Sequence, residues 1–111
     1  MTILTMGISV LLGLFFVLAG SVKLTGWQKQ VFEIQLGYFR SYGLNRSAMA
    51  VVGGLELCGA ALLGLYPAAG ALLLAVVSAG ALSFHLRFDT LKEGAGALIT
   101  LMLSLALLLL V

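Results

Sequence analysis

The sequence has 111 residues, of which 62% are hydrophobic and 9% are charged, and its mean hydropathy is +1.20. A soluble domain carries about 25% charged residues, so this chain has too little polar surface to cover itself in water. The composition excludes a water-soluble domain and predicts an all-α integral membrane protein that forms a single transmembrane domain. The net charge of +2 and the scattered basic residues give no support for nucleic-acid binding.

Four apolar runs each approach the roughly 20 residues that a helix needs to cross a bilayer. They extend over about residues 3–22, 48–66, 68–88 and 94–111. No basic residue precedes the first run, and the run is longer than the core of a signal peptide, so we expect it to be retained as a span. Pro67, the only proline, predicts a tight turn between the second and third runs. We therefore expect a four-helix bundle.

The first loop, residues 23–46, carries a helical pattern of its own. Apolar and aromatic residues recur at helical spacing opposite Lys29, Glu33 and Arg40, and they are Trp27, Val31, Ile34, Tyr38 and Tyr42. The pattern predicts a short amphipathic helix over about residues 27–42 that lies in the membrane interface, with Trp27, Tyr38 and Tyr42 as anchors at headgroup depth. The alternative is an ordinary loop packed on the spans, because Gly37 weakens the helix.

The basic residues predict the orientation of the chain. All six lie in or beside the first and third loops, and they are Lys23, Lys29, Arg40, Arg46, Arg87 and Lys92. Basic loops are enriched on the cytoplasmic side of membrane proteins. We therefore expect loops 23–46 and 87–93 to be cytoplasmic and both termini to be outside.

Three ionisable residues lie inside the spans or at their edges. Glu56 is ten residues from each end of the run 46–66, or roughly 15 Å along a helix, which places it near the bilayer midplane. A carboxyl group at that depth is costly and is a candidate for function. Lys23 and His85 lie at the cytoplasmic ends of their helices. All three have small helical neighbours and should point into helix contacts, but Glu56 is about three turns deeper, so a Lys23–Glu56 pair would be stretched.

Each of these residues also has a purely structural interpretation. Lys23 could extend to the interface and complement the helix dipole, and His85 could satisfy a backbone group near its helix end. Glu56 could stay neutral and donate a hydrogen bond between helices. Cys58 is expected to be a small buried apolar residue. One histidine and one cysteine cannot build a closed zinc site, so we expect no metal.

Small residues indicate where helices approach closely. The third run carries a stripe at four-residue spacing, formed by Ala71, Ala75, Ala79 and Ser83. Such stripes let helices pack tightly in lipid. The stripe leaves two arrangements open, a bundle that is complete in one chain or a homo-oligomer that pairs through it.

Three segments carry a resemblance to a known family. They are FFVLAGSVKL at residues 15–24, GGLELCGA at 53–60 and AGALSFHLRFD at 79–89. With these segments the chain resembles the DoxX-like family of small four-span bacterial membrane proteins. The resemblance implies a four-helix membrane bundle in the bacterial inner membrane. It also places Lys23, Glu56 and His85 on the family's polar positions.

The resemblance also sets expectations for function, because some relatives are linked to thiosulfate–quinone oxidoreduction and others to membrane oxidoreductase assemblies. It implies an accessory subunit rather than a self-sufficient enzyme, with a redox protein and the lipid bilayer as partners. Quinone would contact the Lys23, Glu56 and His85 site, with no covalently bound cofactor and no catalytic residue assigned. Two alternatives stay open. One is a small proton-coupled transporter, although small multidrug exporters carry their glutamate in the first span. The other is a non-catalytic assembly partner.

Overall fold

The computed structural model describes residues 2–88 and 94–111, and these residues form five α-helices and no strand. The helices are α1 (Ile3–Thr25), α2 (Lys29–Ser41), α3 (Arg46–Leu65), α4 (Pro67–Phe88) and α5 (Ala95–Leu110). The predicted all-α class is confirmed. The predicted loop 87–93 lies outside the described residues, apart from Arg87 and Phe88 at the end of α4.

Helices α1, α3, α4 and α5 correspond to the four apolar runs of the sequence. Among the described residues, α1, α3 and α4 are long and apolar enough to cross a membrane, whereas α5 is apolar but has 16 residues. The predicted turn at Pro67 is confirmed, because α3 ends at Leu65 and α4 begins at Pro67. Proline fits this first helical position because a helix leaves its first backbone N–H groups unpaired.

Local signals fix several of the helix ends. The side chain of Thr2 accepts a hydrogen bond from the backbone N–H of Thr5 at 3.2 Å and caps the start of α1. Asn45 caps α3 by accepting from the N–H of Ala48 at 2.9 Å. Gly26 ends α1 with a φ of 73°, a left-handed conformation that side chains disfavour. Gly26 and Asn45 mark the two ends of the segment that contains α2.

The four apolar helices pack in a consecutive series, α1 on α3, α3 on α4 and α4 on α5, and α5 also contacts α1. Their shared core contains six buried apolar residues, Leu12, Phe16, Leu63, Ala71, Leu74 and Leu107. Much of the outer surface is apolar, including Val51 and Leu55 on α3. Cys58 is exposed on this outer surface, so its predicted burial is wrong. It lies two residues from the buried Glu56, and two residues turn a helix by more than half a circle.

Helix α2 contacts α1 and α3, but none of its residues is fully buried. Val31 and Ile34, together with Trp27 just before the helix, are exposed. Phe32 instead turns inward and packs against Gly26. The apolar positions of the sequence pattern are therefore divided between an outward face and contacts with the rest of the protein.

Close contact between α1 and α3 depends on two glycines that face each other. A β-carbon at position 20 would lie 2.7 Å from the carbonyl oxygen of Gly53. A β-carbon at position 53 would lie 2.8 Å from both the carbonyl oxygen of Gly20 and the Cβ of Lys23. Real β-carbons do not approach backbone so closely, so the two helices can meet at this distance only with glycine at both positions.

Gly53→Ala and its neighbour Gly54→Ala provide a matched test of this contact. We expect Gly53→Ala to lower the free energy of unfolding by about 1–3 kcal/mol, because the added methyl group forces α1 and α3 apart. Gly54→Ala should be neutral or slightly stabilising, because nothing lies within 4 Å of the added carbon. Equilibrium unfolding in mixed detergent micelles measures both. Equal effects of the two substitutions would contradict the close glycine contact.

Candidate functional site

The centre of the candidate site is an ion pair between α1 and α3. Lys23 Nζ lies 2.8 Å from Glu56 Oε1, and the side chains are only 11% and 5% exposed. Oε1 has no other hydrogen-bond partner among the described residues. The predicted stretched geometry is wrong, because the glycine contact brings the lysine stem directly over α3. A pair this deep depends on its partner, since removal of one charge leaves the other buried without compensation.

The ion pair opens onto a cavity of about 160 Å³ between the helices. The cavity has polar lining from α1, α2, α3, α4 and α5, namely Lys23, Gln35, Glu56, Ser78, His85 and Thr100. The structure therefore brings the three predicted site residues together in one cavity. Phe15 and Phe16 form an apolar part of the wall. Their rings meet edge to face with centroids 5.2 Å apart.

His85 is held between α2 and α5. Its Nδ1 lies 3.1 Å from the hydroxyl of Tyr42, and its ring meets the ring of Tyr38 edge-on with centroids 5.2 Å apart. Gly94 packs so closely that a β-carbon there would lie 2.9 Å from the Cβ of His85. Tyr38 and Tyr42, which the sequence suggested as interfacial anchors, thus contact a residue of the cavity. Their placement at headgroup depth stays a prediction, as does that of Trp27, whose Nε1 donates to Ser21 at 2.8 Å.

Two hydroxyl groups form the wall of the cavity between α4 and α5. Ser78 and Thr100 are both buried, and their hydroxyl oxygens lie 2.9 Å apart. The Thr100 hydroxyl donates to the carbonyl of Ala97 at 3.0 Å. The proton between the two hydroxyls therefore comes from Ser78, and this wall is a fixed hydrogen-bonded unit.

Arg46 joins α1, α2 and α3 beside the cavity. Its guanidinium donates to the carbonyl oxygens of Lys23 at 2.8 Å and Leu24 at 2.7 Å. The same group lies over the ring of Phe32, 4.9 Å from its centroid. The last carbonyls of a helix have no partner within the helix, so this arginine satisfies the end of α1. It also fixes the backbone of the lysine that forms the ion pair.

Sequence reasoning missed Gln35, Thr100 and the paired phenylalanines. Thr100 gave a signal, since it is a polar residue within an apolar run and lies on the same helical face as Ser104 one turn later. Gln35 gave no signal in the sequence, because a neutral polar side chain is common in a polar loop. Its position depends on how α2 folds back over the spans, which no spacing in the sequence specifies.

The side chains around the cavity can recognise and protonate a small polar group. Lys23 and Gln35 supply N–H donors, Glu56 supplies an acceptor, and His85 can donate or accept. Among residues 2–88 and 94–111, no group of three or more histidine, cysteine or acidic residues could hold a metal ion. The side chains of the site offer hydrogen bonding and proton exchange.

The composition, the apolar helices and the buried ion pair define an α-helical membrane protein. The chain belongs to the DoxX-like family, whose sequence profile matches residues 7–109. Comparisons with curated proteins and with solved structures gave no match. The family assignment made from the three sequence segments is confirmed.

A double-mutant cycle tests the ion pair. Lys23→Met should lower the free energy of unfolding by about 3–5 kcal/mol, because it leaves the Glu56 carboxylate buried without a partner. Lys23→Met combined with Glu56→Leu should cost much less, because an apolar pair of similar size removes both charges. Lys29→Met, which changes an exposed lysine, is the control and should have little effect. Glu56→Leu alone completes the cycle. If the effects of the two single substitutions simply add in the double variant in equilibrium unfolding, the two side chains do not interact.

Proposed function

We propose that this protein is a four-span accessory subunit of an oxidoreductase system in the bacterial inner membrane, and that its cavity binds a quinone headgroup. The observation that carries the proposal is the buried Lys23–Glu56 pair, which shares one cavity with His85 and Gln35. The electron-transfer centre belongs to a partner protein in this proposal. With one cysteine in its sequence, the chain has no pair of thiols for disulfide redox chemistry.

The proposed membrane architecture uses α1, α3, α4 and α5 as spans of a four-helix bundle. The long axis of the molecule is 40 Å, close to the roughly 40–45 Å of a bilayer with its headgroups. Helix α5 rises about 24 Å, so local thinning or the residues flanking it would complete its crossing. Helix α2 is the interfacial amphipathic helix, with Trp27, Val31 and Ile34 exposed toward lipid.

The proposed orientation follows the basic residues. Lys23 and Arg87 lie in the last turns of α1 and α4, Arg40 lies on α2 between α1 and α3, and neither the Pro67 turn nor the termini carry lysine or arginine. The segments that join α1 to α3 and α4 to α5 are cytoplasmic in the proposal, and both termini are outside. Lys92 contributes to the same bias but lies outside the described residues.

Quinone chemistry fits the groups around the cavity. The carbonyl oxygens of a quinone accept hydrogen bonds, for which Lys23 Nζ and the Gln35 amide are donors. Reduction by two electrons adds a proton to each oxygen, and Glu56 and His85 are side chains that can exchange protons. The cavity volume of about 160 Å³ is below the roughly 300–1,000 Å³ of sites for whole drug-sized ligands, so it suits a headgroup only.

The apolar tail of a quinone would remain in lipid. Phe15 lines the cavity and is also 48% exposed on the outer surface of α1, so the cavity wall is accessible from the side of the helices. A headgroup could enter past this ring while its tail stays in the bilayer. Gln35 would meet the headgroup from α2, and the Tyr42–His85 contact holds the end of that helix against α4.

Gln35→Leu and Gln30→Leu provide matched variants for a binding test. Both glutamines lie on α2, but only Gln35 lines the cavity. We expect purified wild-type protein in nanodiscs to bind a short-chain quinone saturably. Gln35→Leu should raise the Kd by about tenfold, which corresponds to one lost hydrogen bond. Gln30→Leu should bind like the wild type. Equilibrium dialysis with labelled quinone measures all three, and equal binding by the two variants would contradict the proposed contact.

A second test addresses the assembled complex. Glu56→Gln should lower quinone-dependent turnover while the partner protein still co-purifies with the chain. Unchanged turnover with intact assembly would remove the proposed role of Glu56.

A second candidate function is a non-catalytic assembly partner, in which the ion pair only joins α1 to α3. The close contact between Gly20 and Gly53 favours this candidate, because it lies beside the pair and joins the same two helices. Full activity of a complex that contains Glu56→Gln would select it. A proton-coupled exporter is less consistent with the geometry, since Lys23 already neutralises the carboxylate that would bind a cationic substrate. Uptake of a lipophilic cation by proteoliposomes would revive that alternative.

A further inference from the structure

We infer that a second site, separate from the quinone cavity, binds the phosphate of an anionic phospholipid in a groove between α2 and the start of α3. The groove has a volume of about 690 Å³. Three basic side chains line it, Lys29 and Arg40 on α2 and Arg46 at the start of α3. A phosphate group with its negative charge is the ligand that such a set of cations recognises.

The described residues neutralise the positive charges in the groove only in part. Glu33 is the one acidic residue in the lining, so the groove carries a net charge of +2, from three basic residues and one acid. Within the described ranges, none of these side chains forms an ion pair with another. Lys29 and Arg40 are exposed. The groove therefore presents an uncompensated positive field to whatever lies beside it.

Arg46 is already oriented for a ligand. Its bonds to the carbonyls of Lys23 and Leu24 and its contact with the Phe32 ring fix the guanidinium at the end of the groove. These bonds use only some of its N–H groups, and the remainder can donate to a phosphate oxygen. A side chain held in this way loses little conformational entropy when it binds.

Gly37 supports the inference independently. Glycine in the middle of α2 weakens the helix relative to alanine. Packing within the chain does not require it, because nothing lies within 4 Å of a β-carbon built at this position. The residue nevertheless lines the groove, where a side chain would take up space. A large side chain at this position would therefore fill part of the groove.

The surroundings of the groove match a lipid rather than a free anion. Phe32 and Leu36 add apolar surface between the cations, suited to the glycerol and first methylenes of a lipid. Trp27, Val31 and Ile34 are exposed on the side of α2 opposite the groove and would face the acyl chains, which puts the groove at the level of the headgroups. In the proposed orientation the groove faces the cytoplasmic leaflet, where basic clusters next to spans bind anionic lipid.

Lipid retention in native mass spectrometry tests this site. Full-length protein is reconstituted in bilayers with equal amounts of phosphatidylcholine and phosphatidylglycerol and then released into detergent. Wild-type protein should retain phosphatidylglycerol in preference to phosphatidylcholine. Lys29→Gln combined with Arg40→Gln should lower that retention about tenfold or more, because it removes two of the three cations. Gly37→Phe should lower it without any change of charge, because the ring fills the groove.

Arg87→Gln is the matched control, since Arg87 is exposed at the end of α4 but does not line the groove. It should retain the lipid as the wild type does, and no variant should have a lower unfolding midpoint than the wild type. An equal loss in Arg87→Gln would show general charge attraction and overturn the site. Equal retention of both lipids by the wild type would also overturn it. If inorganic phosphate displaces the lipid at a concentration similar to that of the lipid, the groove is a site for a free anion instead.

Discussion

The ion pair between Lys23 and Glu56 is the interaction on which the arrangement of this protein depends. Charges buried among apolar helices are tolerated only with a partner at short distance, and here the distance is 2.8 Å. The pair forms because Gly20 and Gly53 let the backbones of α1 and α3 meet. Backbone approach and charge pairing therefore support each other. Arg46 adds a third element by holding the end of α1 against α3. The polar cavity exists because the ion pair keeps charged groups where apolar side chains would otherwise fill the core.

The helices could be predicted from the sequence because lipid imposes a simple rule on backbone groups, which must be paired within each span. The four apolar runs and Pro67 were sufficient to place α1, α3, α4 and α5 within a few residues. The pattern in the first loop predicted a helix, but it could not specify what its apolar face meets. In the structure Trp27 and Ile34 are exposed, whereas Tyr42 packs on His85. Periodicity describes one helix at a time, and neighbours decide whether an apolar face meets lipid or protein.

The candidate site was predictable in its charged members and not in its geometry. Lys23, Glu56 and His85 stand out because ionisable residues are rare in apolar runs. The distance between Lys23 and Glu56 was misjudged because it was estimated from the rise along each helix, which says nothing about how closely two helices approach. The glycine contact brings α1 and α3 closer together than helical rise can indicate. Cys58 was also misjudged, since its apolar surroundings in the sequence are the same whether the residue faces the core or lipid. Gln35 enters the site through the fold of α2, which depends on Arg46 and Phe32 acting together.

The junction at Tyr66, one residue between α3 and α4, has a consequence for biogenesis. In the proposed topology this turn must be carried across the bilayer as the chain is inserted. It contains no charged residue, so α3 and α4 can cross together as a helical hairpin. Glu56 is the group in that hairpin whose transfer into the bilayer costs the most free energy. Lys23 precedes it in the chain and has already reached the membrane with α1. The ammonium group of Lys23 is therefore present in the membrane when the Glu56 carboxylate enters it. The order of synthesis thus supplies the partner before the group that requires it.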